Sequence, residues 1–189
     1  GIWRSYVPPL AKDRVITILG LGTLGTACGI ALKRLGFNVR GWSRREKRVD
    51  GIQCFYGDEQ IDSSLMDADI VVLLLPDTPL TQNILNKHTL NLLKRGAFVL
   101  NPGRGPLIDD DALLAALDSG QIEHATLDVF RIEPLPQNHQ YWSNNKVTVI
   151  PHKASETRPK TASQVIAMNI ERAENGQELL YLVDRENGY

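Results

Sequence analysis

The sequence has few cysteines, no excess of charge of either sign and no long apolar run. Its 189 residues include 2 cysteines, 21 lysines and arginines, and 22 aspartates and glutamates, so the formal net charge is −1. Without a basic excess, the composition argues against a nucleic-acid-binding protein. The longest apolar stretch, residues 70–76, is too short to span a bilayer. No signal peptide, internal repeat or low-complexity segment is visible, so we expect an ordinary globular domain.

The two cysteines, Cys28 and Cys54, form no C-x-x-C pair and lie inside apolar segments. This spacing favours reduced cysteines in the core over a disulfide or a metal pair. The sequence therefore predicts no metal site, and the reduced cysteines predict a cytoplasmic protein.

Short apolar runs alternate along the chain with segments of helical periodicity. The runs that predict strands are residues 15–19, 37–42, 52–55, 70–75, 97–101, 125–130 and 147–150. The segments that predict helices are residues 24–35, 87–93, 112–117 (after an N-cap at Asp109) and 156–174. Serial strand–helix–strand units predict an α/β fold of Rossmann type, a doubly wound parallel sheet between two layers of helices. We expect residues 8–176 to form this domain, residues 1–7 to be a connector and residues 177–189 a tail.

A glycine-rich motif, G-x-G-x-x-G, follows the first predicted strand and opens the first predicted helix. It contains Gly20, Gly22, Thr23, Leu24 and Gly25. In this context the first glycine permits a tight turn, the second lets the backbone approach a pyrophosphate, and the third lets helix and strand pack closely. The helix N-terminus also attracts phosphate. The motif predicts dinucleotide binding; a glycine turn without a ligand and a methyltransferase loop are the alternatives.

The segment after the second predicted strand indicates which dinucleotide binds. An NAD site places an acidic residue there to bind the ribose 2′-hydroxyl, whereas this sequence has Ser43, Arg44 and Arg45, followed by Lys47 and Arg48. Arginine matches phosphate geometry with two parallel hydrogen bonds. The segment predicts NADP(H), with NAD(H) as a second candidate ligand; a basic loop that faces only solvent is the alternative.

A loop rich in glycine and proline follows the fifth predicted strand. Pro102 and Gly103 precede Arg104, and Gly105 and Pro106 follow it. Ligands bind at this end of strands in open α/β sheets, and a rigid loop that presents an arginine suits recognition of a carboxylate. An ion pair between Arg104 and an aspartate of residues 109–111 is the alternative.

Two later strands also end in residues that can carry chemistry. Asp128 and Glu133 come from the segment around the sixth predicted strand, and His152 follows the last one. A carboxylate and a histidine at the same sheet edge could pair, with Glu133 holding and charging the imidazole. For any single histidine, however, a structural role is the commoner case.

Taken in order, these motifs resemble the D-isomer-specific 2-hydroxyacid dehydrogenases over essentially the whole chain. The matching residues are the glycine loop, Leu75-Pro76 with Thr81, Asn101-x-x-Arg104-Gly105, Asp128-Val129-Phe130-x-x-Glu133-Pro134-Leu135-Pro136, and Pro151-His152-x-Ala154 with Thr157. Further similarity, to the glyoxylate and hydroxypyruvate reductases of the A type, lies in Trp42-Ser43-Arg44-Arg45, Thr157-Arg158-Pro159 and Val183-Asp184-Arg185-x-x-Gly188-Tyr189. That subfamily favours NADPH.

The resemblance implies an oxidoreductase that reduces small 2-oxo acids, such as glyoxylate and hydroxypyruvate, by hydride transfer from NADPH. It implies that Arg104 binds the substrate carboxylate and 2-oxo oxygen, that His152 protonates this oxygen, and that Glu133 orients His152 and stabilises its protonated form. Asp128 is implied to contact the nicotinamide end of the cofactor. The other cofactor-binding residues that it implies are Leu75, Pro76, Thr81, Pro102, Gly103, His152 and Ala154.

The chain departs from this family at two places and in length. Lys153 stands where the family usually has an apolar or small residue, and Pro102-Gly103 is more rigid than the usual small pair. Family members have two domains, and most of the substrate domain has no counterpart here. The resemblance implies that residues 1–7 and 177–189 are the connector and the C-terminal remnant of that domain. We therefore expect a truncated chain that binds NADPH but turns over little substrate. Relatives are commonly dimers through this domain, which implies a homodimer.

Two other functions resemble this pattern. A dinucleotide-sensing regulatory protein, similar to the corepressors related to these dehydrogenases, can retain the same three residues at the site. The absence of interaction motifs and of basic nucleic-acid-binding features favours the enzyme. Formate dehydrogenase usually has glutamine at the position of Glu133 and is disfavoured.

Overall fold

The computed structural model describes residues 3, 5 and 7–185. The chain divides into two compact units, Gly1–Pro151 and His152–Tyr189. The predicted domain of residues 8–176 includes parts of both units and remains a prediction. Gly188 and Tyr189, which belong to the tail motif, lie outside the described residues, as do residues 1, 2, 4 and 6 of the predicted connector.

Seven parallel strands within the described residues of the first unit form one sheet in the order β3-β2-β1-β4-β5-β6-β7. They are β1 (Val15–Leu19), β2 (Asn38–Ser43), β3 (Gln53–Tyr56), β4 (Ile70–Leu73), β5 (Ala97–Asn101), β6 (Ile122–Leu127) and β7 (Val147–Val149). The order reverses between β1 and β4, and such a switch point is where open α/β sheets bind ligands. The predicted doubly wound parallel sheet is confirmed.

Four α-helices in the described part of the first unit pack on the two faces of the sheet: α1 (Thr23–Arg34), α2 (Ile61–Leu65), α3 (Lys87–Leu92) and α4 (Asp110–Asp118). Successive strand residues point to opposite faces. Ile16 and Ile18 of β1 belong to an apolar cluster that Leu32 of α1 joins, whereas Leu19 belongs to a larger cluster. The larger cluster contains a residue from each of the other helices: Leu65, Leu90 and Leu113. The helices therefore form two layers, as predicted.

Glycines bring α1 close to the sheet. A Cβ atom at Gly25 would lie 1.8 Å from the carbonyl oxygen of Gly20, and one at Gly29 would lie 2.5 Å from a side chain of the core. Gly25 and Gly29 are four residues apart and share the helix face that contacts the sheet, and Cys28 lies to the side of that face. The prediction that Cys28 is a core residue is wrong, because it is exposed, while Cys54 is half-buried.

The predicted positions of two elements, a strand and the last helix, are also wrong. The strand predicted at 125–130 is β6, at Ile122–Leu127, because its pairing with β5 begins at Ile122 and ends at Leu127. The last helix, predicted from residue 156, is α5 (Pro159–Glu174). Proline suits the first turn of a helix and disfavours helical backbone in the residue before it, so Pro159 places the beginning of α5.

The described part of the second unit comprises residues 152–158, α5 and the residues that follow α5 up to 185, which fold back on the helix. The Asn169 side chain exchanges two hydrogen bonds with the Leu180 backbone, at 2.8 and 3.1 Å, and Arg172 Nε donates to the Glu178 carbonyl oxygen at 2.5 Å. None of the described helices is long and apolar enough to cross a membrane.

Candidate active site

The glycine loop, residues 20–25, lies at the switch point between β1 and β4. Gly20 has a φ of 110°, and a Cβ atom there would lie 2.4 Å from the Leu74 carbonyl oxygen, so this loop packs directly on the segment after β4. A Cβ atom at Gly22 would instead meet nothing within 4 Å. Gly20 and Gly25 are therefore required by packing within the chain, whereas Gly22 borders open space that a phosphate can occupy.

The N-terminus of α1 presents its N–H groups to this space. Gly22 is the N-cap residue and supplies no side-chain cap, and the first turn of the described helix has no acidic residue. Thr23 and Leu24 begin the helix and are exposed. Because these N–H groups and the helix dipole both favour an anion, the loop fits the pyrophosphate of a dinucleotide.

The basic segment after β2 lies next to the glycine loop. Arg44 and Arg45 are exposed, whereas Ser43 is buried and its hydroxyl donates to the Arg45 carbonyl oxygen at 2.8 Å. Lys47 Nζ donates to the Leu21 carbonyl oxygen at 2.5 Å, which joins the two segments. The cationic cluster therefore lies near the phosphate-binding end of α1 and suits a 2′-phosphate. In the sequence, Lys47 is distinguished only by its position next to the arginines, and nothing there indicates its contact with the glycine loop.

The segment after β4 is organised by Thr81. Its hydroxyl donates to the Pro76 carbonyl oxygen at 2.7 Å and accepts the Thr78 N–H at 2.9 Å. Thr81 is buried, and Leu75 and Pro76 are half-buried at the switch point. Thr81 therefore shapes the segment predicted to line the cofactor groove, and direct contact of Thr81 with the cofactor remains a prediction.

One buried side chain shapes the loop that carries Arg104. Asn101, at the end of β5, is 1% exposed. Its Oδ1 accepts the Gly103 N–H at 3.1 Å and its Nδ2 donates to the Arg104 carbonyl oxygen at 2.9 Å. A Cβ atom at Gly103 would lie 2.8 Å from the Leu73 carbonyl oxygen, so the loop also packs on β4. Pro102 is half-buried, and the Arg104 side chain remains exposed.

The aspartates near Arg104 interact with other groups. Asp109 caps α4 by accepting a backbone N–H at 3.1 Å, and the Asp110 carboxylate lies 3.6 Å from the Arg131 guanidinium. Arg104 Nη1 donates to the Gly103 carbonyl oxygen at 2.7 Å. Within the described residues no ion pair joins Arg104 to residues 109–111. The structure therefore does not show the alternative in which Arg104 pairs with one of these aspartates.

The turn after β6 brings a second predicted residue close to this loop. Asp128 directly follows β6 and is buried. Glu133 Oε1 accepts the Phe130 N–H at 2.9 Å, and a Cβ atom at Gly105 would lie 2.0 Å from the Phe130 carbonyl carbon. The loops that carry Arg104 and Glu133 are therefore in direct backbone contact.

His152 is the first residue of the second unit and comes three residues after the end of β7. Its φ is 51°, in the left-handed region that residues other than glycine seldom adopt. Residues held in such conformations are concentrated at functional sites. Lys153 and Ala154 follow it in the same unit. The pairing of His152 with Glu133 remains a prediction.

The family of the chain follows from comparison with known proteins. The family model described as D-isomer specific 2-hydroxyacid dehydrogenase, NAD binding domain, matches residues 1–154. The chain belongs to this family. The glycine loop, the Arg104 loop and the Glu133 turn all lie inside the matched residues.

Several relatives are similar to nearly the whole chain. Glyoxylate/hydroxypyruvate reductase A of Serratia proteamaculans (strain 568) is 44% identical over 187 residues, which are 99% of this chain and 60% of that protein. The structure of a D-isomer specific 2-hydroxyacid dehydrogenase from Xanthobacter autotrophicus Py2, in complex with NADPH and MES, matches with a TM-score of 0.95 and 45% identity, over 99% of this chain and 77% of that one. The structure of the NADPH-dependent glyoxylate/hydroxypyruvate reductase of Sinorhizobium meliloti, in complex with NADP and sulfate, matches with a TM-score of 0.95 and 34% identity. This match covers 99% of this chain and 60% of that one.

This chain therefore spans about 60% of the length of the curated relatives that it matches. Their names are those of reductases. The alternative of a dinucleotide-sensing regulatory protein finds no support among them.

Proposed function

We propose that the full-length protein containing this chain reduces small 2-oxo acids, including glyoxylate and hydroxypyruvate, with NADPH. The observation that carries the proposal is the loop at residues 101–106, which holds the Arg104 guanidinium exposed at the carboxyl end of β5. The dinucleotide-binding end of β1 lies two strands away at the same sheet edge. The homodimer and the cytoplasmic location belong to the same proposal.

The residues of the site divide the work of reduction. Arg104 binds the carboxylate of the oxo acid through parallel N–H groups and polarises the 2-oxo oxygen. His152 donates a proton to that oxygen, and Glu133 orients the imidazole and stabilises its charged form. When bound, NADPH supplies the hydride for carbon 2. The product is the 2-hydroxy acid.

The cofactor is held by groups around the end of β1. The N–H groups at the beginning of α1, beside Gly22, bind the pyrophosphate, and Arg44 and Arg45 bind the 2′-phosphate. Asp128 contacts the nicotinamide end. The backbone around Leu75-Pro76 and Pro102-Gly103 lines the cofactor groove, and Thr81 belongs to the same cofactor-binding set. Ala154 contributes next to His152.

The direct test is steady-state kinetics of the full-length protein with glyoxylate, hydroxypyruvate and pyruvate, each with NADPH and with NADH. Arg104→Lys should lower kcat/KM about 100-fold or more, because lysine cannot form the planar fork. Arg95→Lys is the matched control, since Arg95 donates to a single carbonyl oxygen, that of Ser119, at the opposite edge of the sheet. The kcat/KM of Arg95→Lys should remain within about twofold of that of the unmodified protein.

Failure of the unmodified protein to reduce any of the three acids would refute the proposed reaction. Turnover by the unmodified protein, together with near-normal kcat/KM in Arg104→Lys, would refute the assignment of Arg104 alone.

Cofactor preference gives a separate prediction. The double substitution Arg44→Ala, Arg45→Ala should weaken NADPH binding about tenfold, or ~1.4 kcal/mol, with far less effect on NADH. The preference for NADPH in the unmodified protein should also shrink as salt rises, because exposed charges are screened. Calorimetry measures both effects, with Arg34→Ala, an exposed position at the far end of α1, as the control. Equal affinities for NADPH and NADH before mutation would contradict the prediction.

A further inference from the structure

Arg131 lies in the turn after β6, two residues before Glu133, and the proposed reaction assigns it no role. Its side chain is about one-third exposed. The guanidinium contacts four groups: the Asn83 side-chain oxygen, the carbonyl oxygens of Pro106 and Ile108, and the Asp110 carboxylate. A single side chain thus joins the turn after β6 to segments that follow two other strands.

Backbone hydrogen bonds already join the segments that Arg131 contacts. The Asn83 N–H donates to the Pro106 carbonyl oxygen at 2.9 Å, and the Leu85 N–H donates to that of Leu107 at 3.0 Å. The segment after β4 therefore runs beside the end of the Arg104 loop, and Arg131 lies across the junction. Since β4, β5 and β6 are neighbours in the sheet, the guanidinium connects three consecutive strand ends.

The backbone of Arg131 also contacts the Arg104 loop. A Cβ atom at Gly105 would lie 2.4 Å from the Arg131 nitrogen, so the residue next to Arg104 packs directly on this turn. Both the main chain and the side chain of Arg131 therefore set the distance between the Arg104 loop and the Glu133 turn.

The charge of Arg131 is balanced within the cluster. Asp110 Oδ2 lies 3.6 Å from Arg131 Nε, and Asp110 Oδ1 accepts the Tyr141 hydroxyl at 2.8 Å. Arg131 Nη2 donates to the Asn83, Pro106 and Ile108 oxygens, while Nε is the atom that lies near Asp110. Lysine has one nitrogen and cannot place a donor at both positions.

We infer that Arg131 is a positioning residue for the proposed reaction. It fixes the Arg104 loop relative to the Glu133 turn, so that the group that binds the substrate carboxylate and the group that orients the acid keep a productive spacing. The inference rests on the proposed function, although the restraint on the loops can be measured without turnover.

The first measurement is hydrogen exchange of the backbone in the full-length protein. In Arg131→Ala, the N–H groups of Asn83, Leu85 and Asp109 should exchange about tenfold faster or more, because their segments lose a shared restraint. The N–H groups of β1 should be unchanged. The matched control is Arg95→Ala, which should leave the three N–H groups as they are in the unmodified protein.

The second measurement separates positioning from stability. Arg131→Ala should lower kcat about 10- to 100-fold, because small displacements of reacting groups are costly, while its Kd for NADPH and its Tm should remain close to those of Arg95→Ala. Added guanidinium should restore part of kcat in Arg131→Ala and none in the control. Arg131→Lys should recover less than half of the lost kcat.

Unchanged exchange in Arg131→Ala would overturn the inference, and so would faster exchange with unchanged kcat. If Arg131→Ala both binds NADPH much more weakly and has a much lower Tm than the control, Arg131 has a general structural role, and the inference is also overturned. If the unmodified protein reduces no oxo acid, the proposed function fails and the catalytic part of the inference fails with it. The exchange measurement then still decides whether Arg131 restrains the loops.

Discussion

The glycine loop after β1 and the loop after β5 lie at the same edge of the sheet, and both depend on glycine. In the β5 loop, a Cβ atom added at Gly103 would lie 2.8 Å from a carbonyl oxygen of β4, and one added at Gly105 would lie 2.0 Å from the backbone of Phe130. In the glycine loop, Gly20 and Gly25 leave equally little room for a Cβ atom, but one added at Gly22 would meet nothing within 4 Å.

This difference matches the different ways in which the two loops are proposed to bind ligands. In the proposed site the glycine loop binds through backbone N–H groups, so a side chain at Gly22 would stand where the phosphate approaches. The β5 loop is proposed to bind through the Arg104 side chain, and its glycines allow the surrounding backbone to pack tightly. The same residue type thus borders open space in one loop and packs against the chain in the other.

The largest effect is expected from Gly105→Ala. The new methyl group would overlap the backbone of Phe130, which cannot move without shifting the Glu133 turn. We expect the free energy of unfolding to fall by about 3 kcal/mol or more, as for severe overpacking. Urea unfolding measures it. A loss below about 1 kcal/mol would mean that the β5 loop is not packed as described.

Gly22→Ala should weaken cofactor binding and leave the stability of the fold almost unchanged. Its methyl group meets open space and its φ of −72° suits alanine, so the free energy of unfolding should change by less than about 1 kcal/mol. The Kd for NADPH should rise about tenfold, which corresponds to ~1.4 kcal/mol. Calorimetry and urea unfolding of the same variant provide the two values. Unchanged NADPH affinity would show that the phosphate does not approach Gly22.

The smallest effect concerns pH and arises beside the β5 loop, where the Tyr141 hydroxyl donates to Asp110 at the beginning of α4. Burial, and then the nearby Asp110 carboxylate, raise the pKa of Tyr141. A raised pKa in the folded state means that the stabilisation is present below the unfolded value of about 10 and is lost as pH rises further. Tyr141→Phe should cost about 1 kcal/mol at neutral pH, because the hydrogen bond to Asp110 is lost. Its unfolding free energy should fall less steeply above pH ~10, because the titrating hydroxyl is gone. Parallel pH curves for the two proteins would contradict this.

Much of the sheet could be predicted because buried parallel strands are short continuous apolar runs. β1 and β5 have the predicted bounds. The predicted position of β6 is wrong because Glu123 and His124 interrupt the apolar pattern at the beginning of the strand. The pairing of β6 with β5 decides where the strand begins. α2 was missed because five residues are too few to show helical periodicity.

Of the site, residues at strand ends could be predicted, whereas contacts between loops could not. The motifs alone identify Arg104 and Glu133 as candidates. The bond from Arg131 to Ile108 joins residues 23 positions apart, and that from Lys47 to Leu21 joins residues 26 positions apart. Spacing in one sequence does not indicate which distant carbonyl oxygen a long cationic side chain will reach. Such contacts depend on the strand order.

The amide of Asn101 holds the Arg104 loop with its donor and its acceptor at once, so deamidation to aspartate would place two oxygens against each other. Asparagine normally deamidates when the following backbone nitrogen attacks its side chain. Here that nitrogen belongs to Pro102, which carries no hydrogen, and the route is closed. The Asn175-Gly176 pair at the end of α5 lacks this protection. We therefore expect deamidation at Asn175 before it occurs at Asn101.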